Sequence, residues 1–241
     1  MDLGIQGKVA LVLASSKGLG QAIAVSLAKE GARVVLTGRT VEALERTAKQ
    51  IIEAGGSATV LPWDLHQLNE IDLKISQIEK EVGPVDILIN NTGGPPPTSA
   101  ANQSIELWQS NFNHLVLLLM KVTDRVLPHM KAKAWGRIIT STSSGMISPI
   151  PGLAISNTLR AAIMGWSKTL ASEVAKDGVT VNIVLPGRIA TDRLHELDQI
   201  RAQKESKTVA EISARLLAAI PIGRYGCLLY TSPSPRDRQK S

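Results

Sequence analysis

The sequence predicts an α/β fold built on one doubly wound parallel sheet with helices on both faces. Three observations lead to this prediction. Strand-like and helix-like segments alternate from residue 8 to residue 187, the strands are aliphatic on both faces, and the connections are short. Right-handed crossovers between parallel strands wind a chain in this way. A length of 241 residues suffices for a single domain with a full core.

The predicted elements follow one another with little chain between them. Each strand is a short aliphatic run, and the helices space their apolar residues by three and four, several of them stopping at a glycine. We predict strands over 8–15, 33–39, 57–65, 84–94, 136–144 and 179–187, and helices over 20–32, 41–56, 67–83, 104–133 and 152–176. The segment 192–218 is also helical, and we expect it to cover a substrate cleft.

The last residues, 227–241, differ from the rest of the chain because they show no periodicity. Their run "CLLYTSPSPRD" is what a transposon-end adapter used for sequencing libraries would encode. We therefore interpret them as a non-native tail and end the natural sequence at about Gly226. A genuine flexible tail is the alternative.

Composition argues against several classes of function. The net charge of +6 comes without a basic run interleaved with aromatic residues, so we expect no nucleic-acid partner. We find no apolar stretch of membrane-spanning length and no secretory signal, so we expect no membrane partner. Cys227 is the single cysteine, which excludes a disulfide within the chain and favours the cytoplasm. No residue is assigned to a metal site.

A glycine-containing turn follows the first strand and opens the first helix. It comprises Ser16, Lys17, Gly18, Leu19 and Gly20, and Ala14 stands where the usual pattern has its first glycine. Small residues here let the backbone approach a pyrophosphate, which the unpaired N–H groups of the helix then bind. This context predicts a dinucleotide site, and a tight turn without a ligand is the alternative.

The residues after the second strand predict which dinucleotide binds. A carboxylate at this place would bind the ribose 2′-hydroxyl of NAD, but the chain has Gly38 and Arg39, with Lys17 nearby in the turn. Two cations suit a 2′-phosphate, so we predict that NADP(H) is preferred over NAD(H). The alternative is that Arg39 is a solvated loop residue.

Six motifs occur in an order that is typical of one enzyme family. They are "SSKGLG" (15–20), "WDL" (63–65), "NNTG" (90–93), "LPHM" (127–130), "STSSG" (141–145) and "LPGRIATD" (185–192). From about residue 5 to 226 the chain resembles the short-chain dehydrogenase/reductase family, of the 3-oxoacyl-carrier-protein reductase type. The resemblance implies a Rossmann fold whose cofactor cleft is formed by Asp64 and Leu65 at the adenine, by Asn91, Thr92 and Gly93 along the cleft, and by Pro186, Gly187, Ile189 and Thr191 at the nicotinamide end.

The resemblance also implies how the molecule is completed. Family members often form dimers or tetramers through their two long helices, so we expect a homo-oligomer. They continue past the equivalent of Gly226 with a helix and a final strand. We therefore expect that a domain of residues 1–226 is truncated at its C-terminus, has an unpaired sheet edge and is less stable and soluble than a complete one.

The catalytic positions depart from the family pattern, which uses Asn, Ser, Tyr and Lys. The resemblance aligns Ser143 with the serine, Ser156 with the tyrosine, Arg160 with the lysine and Leu115 with the asparagine. A serine is a far weaker and shorter acid than a tyrosine, although Arg160 can still donate hydrogen bonds to the ribose of the cofactor.

Another group would then have to supply the proton. A water, a group on loop 93–101 and His114 are candidates. We favour an interpretation of His114 as a partly buried helix residue whose ring has its hydrogen bonds satisfied. We predict an NADP(H)-dependent oxidoreductase acting on a small carbonyl or alcohol substrate. The alternatives are a dinucleotide-binding sensor or scaffold without turnover and non-redox chemistry with a tightly held cofactor.

Overall fold

Parallel strands form the centre of the computed structural model, which describes residues 2–228. They are β1 (Val9–Val12), β2 (Arg33–Gly38), β3 (Ser57–Pro62), β4 (Ile87–Asn90), β5 (Gly136–Ser141) and β6 (Val179–Val184). The six strands lie in the order β3-β2-β1-β4-β5-β6, and every neighbouring pair is parallel. The order reverses between β1 and β4, where open α/β sheets bind ligands beyond the carboxyl ends of the strands.

Helices connect the strands and confirm the predicted alternation. They are α1 (Gly18–Lys29), α2 (Val41–Glu53), α3 (Ile71–Glu81), α4 (Ile105–Phe112), α5 (Leu118–Ala132), α6 (Ala154–Val174), α7 (Asp192–Glu205) and α8 (Val209–Ala218). The helical segment 192–218 is thus two helices. Ser206 ends the first with a positive φ of 51°, and Thr208 begins the second in a capping box with Glu211.

The helix predicted over 104–133 contains a wider, π-helical turn at Asn113–Leu117 between α4 and α5. Leu107, Leu115 and Leu119 of this helix all pack on the core, at spacings of eight and four residues. In a regular helix, each step of four residues turns such a row by about 40° away from the core. The wider turn reduces this drift and keeps both halves of the helix on the sheet.

Both faces of the sheet are buried, as the aliphatic strands predict. In β1, Val9 and Leu11 point to the core shared with α3, α5 and α6, whereas Ala10 and Val12 point to the core shared with α1 and α2. All four side chains are almost completely buried. A strand that is buried on both faces belongs inside a doubly wound sheet.

The chain divides into two compact units, one ending at Pro186 and one beginning at Gly187. The sheet and α1–α6 lie in the first unit, and α7 and α8 lie in the second. Among the helices of residues 2–228, none is both long enough and apolar enough to cross a lipid bilayer. Residues 229–241 of the tail lie outside the described residues, so its interpretation as an adapter sequence stays a prediction.

Candidate active site

The turn between β1 and α1 brings the helix into direct contact with the backbone of the preceding strand. A Cβ added to Gly20 would lie 2.2 Å from the carbonyl oxygen of Ala14 and 2.9 Å from Nδ2 of Asn91. Any larger residue would force the helix or the turn to shift, because the nearest atom belongs to the backbone. Ala14 itself has a φ of 48°, in the left-handed region that favours the glycine found there in the usual pattern.

Hydrogen bonds to the backbone of β2 and to Asn91, which follows β4, hold this turn in place. Ser15 is buried, and its N–H donates to the carbonyl oxygen of Thr37 at 2.8 Å, while its Oγ accepts from the N–H of Thr37 at 2.8 Å. Asn91, which follows β4, donates from Nδ2 to the carbonyl oxygens of Leu13 and Ala14, both at 3.3 Å. The predicted cleft residue Asn91 thus supports the turn, and Ser15 is a supporting residue that the sequence analysis missed.

The amino end of α1 has the features of an anion-binding site. Lys17 precedes the helix and makes no side-chain hydrogen bond to its first turn. The first N–H groups of a helix have no partner within it, and the helix dipole favours negative charge at this end. Both Lys17 and the predicted 2′-phosphate ligand Arg39 are exposed. Gly38 leaves room for Ser16, since an added Cβ would lie 3.2 Å from the Cβ of that serine.

The predicted adenine-binding residues lie next to a stacked pair of histidines. Leu65 is buried, and Oδ1 of Asp64 accepts from the N–H of His66 at 3.1 Å. The rings of His66 and His114 are stacked with their centroids 3.9 Å apart and their planes at 4°. The sequence analysis did not identify His66, because no local pattern links it to His114, 48 positions further along the chain.

The environment of His114 makes its ring a poor proton donor at neutral pH. Burial and the neighbouring His66 lower the pKa of His114 to about 4, and Arg39 acts in the same direction. A hydrogen bond with the backbone of Leu65 and the charge of Asp64 oppose this shift only in part. Nδ1 of His114 is buried without a hydrogen-bond partner among the described residues, so the expectation of a fully satisfied ring is wrong for this atom.

The predicted catalytic residues lie at the end of β5 and in the first turns of α6. The guanidinium of Arg160 donates from Nε to Oγ of Ser156 at 3.3 Å and from Nη1 to the carbonyl oxygen of Ser141 at 3.2 Å. The helix carrying Ser156 is therefore tied to the strand end that leads into Ser143. Oγ of Ser143 accepts from the N–H of Gly145 at 3.2 Å. All of the predicted catalytic side chains are half-buried.

Leu115, which the resemblance aligns with the asparagine of the family pattern, packs in the core. Leu115 lies in the π-helical turn, is 3% exposed, and packs in the hydrophobic core. An aliphatic side chain offers no hydrogen bond to a water molecule. Leu115 is therefore a core residue, and its alignment with the asparagine of the family pattern stays a prediction.

The remaining predicted cofactor residues lie on either side of the boundary between the two units. Thr92 and Gly93 follow β4, and Pro186 ends the first unit. In the second unit, Ile189 forms a parallel bridge with Gly226, and Oγ1 of Thr191 accepts from the N–H of Leu194 at 3.3 Å, which caps α7. Gly187 is the first residue of this unit.

Comparisons with known proteins agree with this fold. Residues 8–202 match the family profile described as short chain dehydrogenase. The 3-oxoacyl-[acyl-carrier-protein] reductase of Escherichia coli is 33% identical over 224 residues, which cover 93% of this chain and 86% of that protein. This relative is of the 3-oxoacyl-carrier-protein reductase type that the sequence predicts.

Solved structures show the same architecture. The L-sorbose reductase of Gluconobacter frateurii, complexed with NADPH and L-sorbose, superposes with a TM-score of 0.87 at 32% identity and covers 95% of this chain and 88% of that one. NAD+-bound xylitol dehydrogenase superposes with a TM-score of 0.86, covering 93% of this chain and 88% of that one. Its identity is 23%, so it shows the fold alone.

Proposed function

Because the chain belongs to the short chain dehydrogenase family and is therefore an oxidoreductase, we propose that it transfers hydride between NADP(H) and a small carbonyl or alcohol substrate. The observation that carries this proposal is the contact of Gly20 with the backbone of Ala14, which brings the amino end of α1 to the switch point of the sheet. Turns of this kind bind the pyrophosphate of a dinucleotide.

The residues present fit a nicotinamide dinucleotide. Ser16, Lys17, Gly18, Leu19 and Gly20 would hold the pyrophosphate, and Arg39 would pair with the 2′-phosphate of NADP(H). NADPH in the L-sorbose reductase supports this preference by similarity. Asp64 and Leu65 would contact the adenine, and Asn91, Thr92, Gly93, Pro186, Gly187, Ile189 and Thr191 would complete the cleft.

The mechanism that we propose relies on hydrogen bonds rather than on an ionisable side chain. The nicotinamide, when bound, supplies or accepts the hydride. The hydroxyl groups of Ser143 and Ser156 would donate to the carbonyl oxygen, and the charge of Arg160 would stabilise the negative charge that develops there. Arg160 already donates to Ser156, which orients that hydroxyl. The proton that completes the alcohol would then come from water, since an arginine does not deprotonate in proteins.

A dinucleotide-binding sensor or scaffold without turnover is a second candidate function. It is favoured by the replacements at Ser156 and Arg160 and by the burial of Leu115 in the core. Loss of general acid catalysis lowers the rate by a factor on the order of 10²–10⁴. The remaining hydrogen bonds to the substrate would still support slow turnover. We therefore prefer the enzyme.

A cofactor titration followed by a substrate screen separates the two candidates. NADPH fluorescence measures binding, and loss of NADPH absorbance over a panel of ketones, keto acids and sugars measures turnover. We expect binding and slow reduction of at least one carbonyl class. Binding without turnover favours the sensor, whereas no binding contradicts both. Ser156→Tyr combined with Arg160→Lys serves as a companion variant, since higher activity on simple ketones shows that the cleft is otherwise competent.

We also propose that the protein works in the cytoplasm as a homo-oligomer. The apolar side chains of Ile105 and Phe112 on α4 are exposed, and an exposed apolar helix face suits contact with a second copy. Light scattering measures the assembly directly. A monomer at all concentrations would contradict the oligomer.

A further inference from the structure

The amino end of α6 is capped by a residue that lies far away in the sequence. Thr98 belongs to the loop of residues 93–101, which we call the proline loop. Its carbonyl oxygen accepts from the N–H of Ala154 at 3.2 Å, and its Oγ1 accepts from the N–H of Ile155 at 3.3 Å. Its own N–H donates to the carbonyl oxygen of Gly152 at 2.9 Å. Thr98 thus satisfies two N–H groups that have no partner within the helix.

No side chain within α6 performs this function. Leu153, the residue at the N-cap position, makes no side-chain hydrogen bond to the first turn. The proline loop is itself restricted, because proline fixes φ and Pro95 is buried. The cap of α6 therefore comes from a loop whose backbone is restricted by proline.

A second side chain fixes the segment on the other side of the site. Asn157 bonds both backbone groups of Ile150: its Oδ1 accepts from the N–H at 3.3 Å, and its Nδ2 donates to the carbonyl oxygen at 2.9 Å. A Cβ added to Gly145 would lie 2.4 Å from Oδ1 of Asn157. The segment that begins with Ser143 is in this way packed against α6.

Ser156 lies between these two contacts. It is the third residue of α6 and so belongs to the turn that frays first when a cap is lost, whereas Arg160 lies one turn further on. Reacting groups must be held to within a fraction of an ångström, and a small misplacement can cost 10² in rate.

We propose that Thr98 is a positioning residue for the reaction. By capping α6 from the proline loop, it fixes the first turn of the helix and so the directions of Ser156 and Arg160. This inference rests on the proposed function in assigning catalysis to those two residues. The capping itself does not depend on that assignment.

Thr98→Val tests the inference with little change in shape, since it removes the Oγ1 acceptor and keeps the backbone contacts. We expect kcat for a reducible carbonyl substrate to fall about tenfold, with KM changed less than about threefold. Thr98→Ser retains the hydroxyl and should restore most of the rate. The matched control is Thr169→Val further along α6, because Thr169 is exposed and its hydroxyl donates to the carbonyl oxygen of Gly165. This control should leave kcat unchanged.

A spectroscopic measurement separates this inference from the proposed function. The Nε–H resonance of Arg160, identified by its loss in Arg160→Lys, reports the hydrogen bond to Ser156. We expect Thr98→Val to shift or broaden this resonance and Thr98→Ser to restore it, even if no substrate is turned over. An unchanged resonance in Thr98→Val overturns the inference. So does a loss of kcat in Thr98→Ser equal to that in Thr98→Val.

Hydrogen exchange of the unmodified protein covers the case in which Thr98→Val does not fold. Thr40 begins α2 without a side-chain hydrogen bond, so that helix is a comparison within the same chain. We expect protection factors at Ala154 and Ile155 at least tenfold above those at Val41 and Glu42. Equal protection at the two helix ends would overturn the inference.

Discussion

At the scale of single residues, the proposed catalytic pair Arg160 and Ser156 is unusual because neither side chain changes its charge near neutral pH. An arginine guanidinium is always charged in proteins, and a serine hydroxyl keeps its proton near neutral pH. The hydrogen bond between them, at 3.3 Å, gives Ser156 a fixed direction without a proton to release. In the proposed mechanism these residues would therefore act through hydrogen bonding and charge alone.

The pH dependence of hydride transfer follows from these two side chains. We expect the single-turnover rate of carbonyl reduction at saturating NADPH to vary less than about threefold between pH 6 and 9, since no group in the pair titrates there. Ser156→Tyr combined with Arg160→Lys should introduce a pH-dependent rate. A steep or bell-shaped profile in the unmodified protein would show that another side chain supplies the proton.

His114 makes the stability of the fold depend on pH. Its pKa is lowered from 6.5 to about 4, so below pH 6.5 the unfolded chain takes up a proton that the folded protein excludes. Stability is therefore lost as the pH falls from 6.5 to 4. Between pH 7 and pH 5 the loss from this group amounts to at most about 2 kcal/mol, because partial exposure of the ring reduces it.

Replacement of His114 by Phe tests this linkage. Phe keeps a ring against His66 but does not titrate, so urea unfolding should show a smaller loss of stability from pH 7 to pH 5 than in the unmodified protein. His195→Gln is the control, since His195 is exposed on α7. Identical pH dependence in His114→Phe and the unmodified protein would contradict the linkage.

In our proposal, Arg39 decides the choice between the two dinucleotides. Removing a guanidinium that pairs with a phosphate costs at least about 1.4 kcal/mol, which is a factor of ten in affinity. We expect Arg39→Ala to raise the Kd of NADPH at least tenfold and to change that of NADH less than twofold. Arg46→Ala removes another exposed cation and should change neither Kd. Equal weakening of both dinucleotides by Arg39→Ala would contradict a contact with the 2′-phosphate.

At the scale of elements, α1 depends on one close approach. The Cβ in Gly20→Ala would lie 2.2 Å from a backbone oxygen, so the helix or the turn has to move. We expect a loss of roughly 2 kcal/mol in stability together with weaker NADPH binding, measured by urea unfolding and fluorescence titration. In α6, a Cβ added to Gly165 meets no atom within 4 Å.

Gly165→Ala is therefore the matched control for that change. It should be neutral or stabilise the protein by up to about 1 kcal/mol, because alanine has the higher helix propensity. If Gly20→Ala is as stable as Gly165→Ala and binds NADPH normally, the turn does not hold the dinucleotide as we propose.

At the scale of the whole molecule, binding and folding are linked. A ligand that binds the folded chain only, at 100 times its Kd, stabilises it by about 2.7 kcal/mol. For a chain of this size that amounts to a rise of roughly 5–10 °C in Tm. We expect NADPH to produce such a shift, measured by differential scanning fluorimetry. NADH at the same concentration should produce a smaller one, and an equal shift with both would argue against the predicted preference.

Local patterns sufficed to predict the sheet, its helices and the turn at Gly20, because strand and helix periodicity and glycine spacing are properties of neighbouring residues. The contacts of His66 with His114 and of Thr98 with Ile155 were not predictable in this way, because each joins segments that meet only in the folded chain. The separation of α7 from α8 was missed for a local reason, since Ser206 has a left-handed conformation that is uncommon for serine.

The π-helical turn at Asn113–Leu117 has a consequence for the length of the chain. A wider turn holds about one residue more than an ordinary one, so a regular α-helix through all of these residues would rotate α4 by up to about 100° relative to α5. Leu107 would then leave the interior and exposed Ile105 would change direction. Deleting one residue from this turn would restore a regular helix and leave Leu107 on the core, so this is a place where the chain tolerates a change in length.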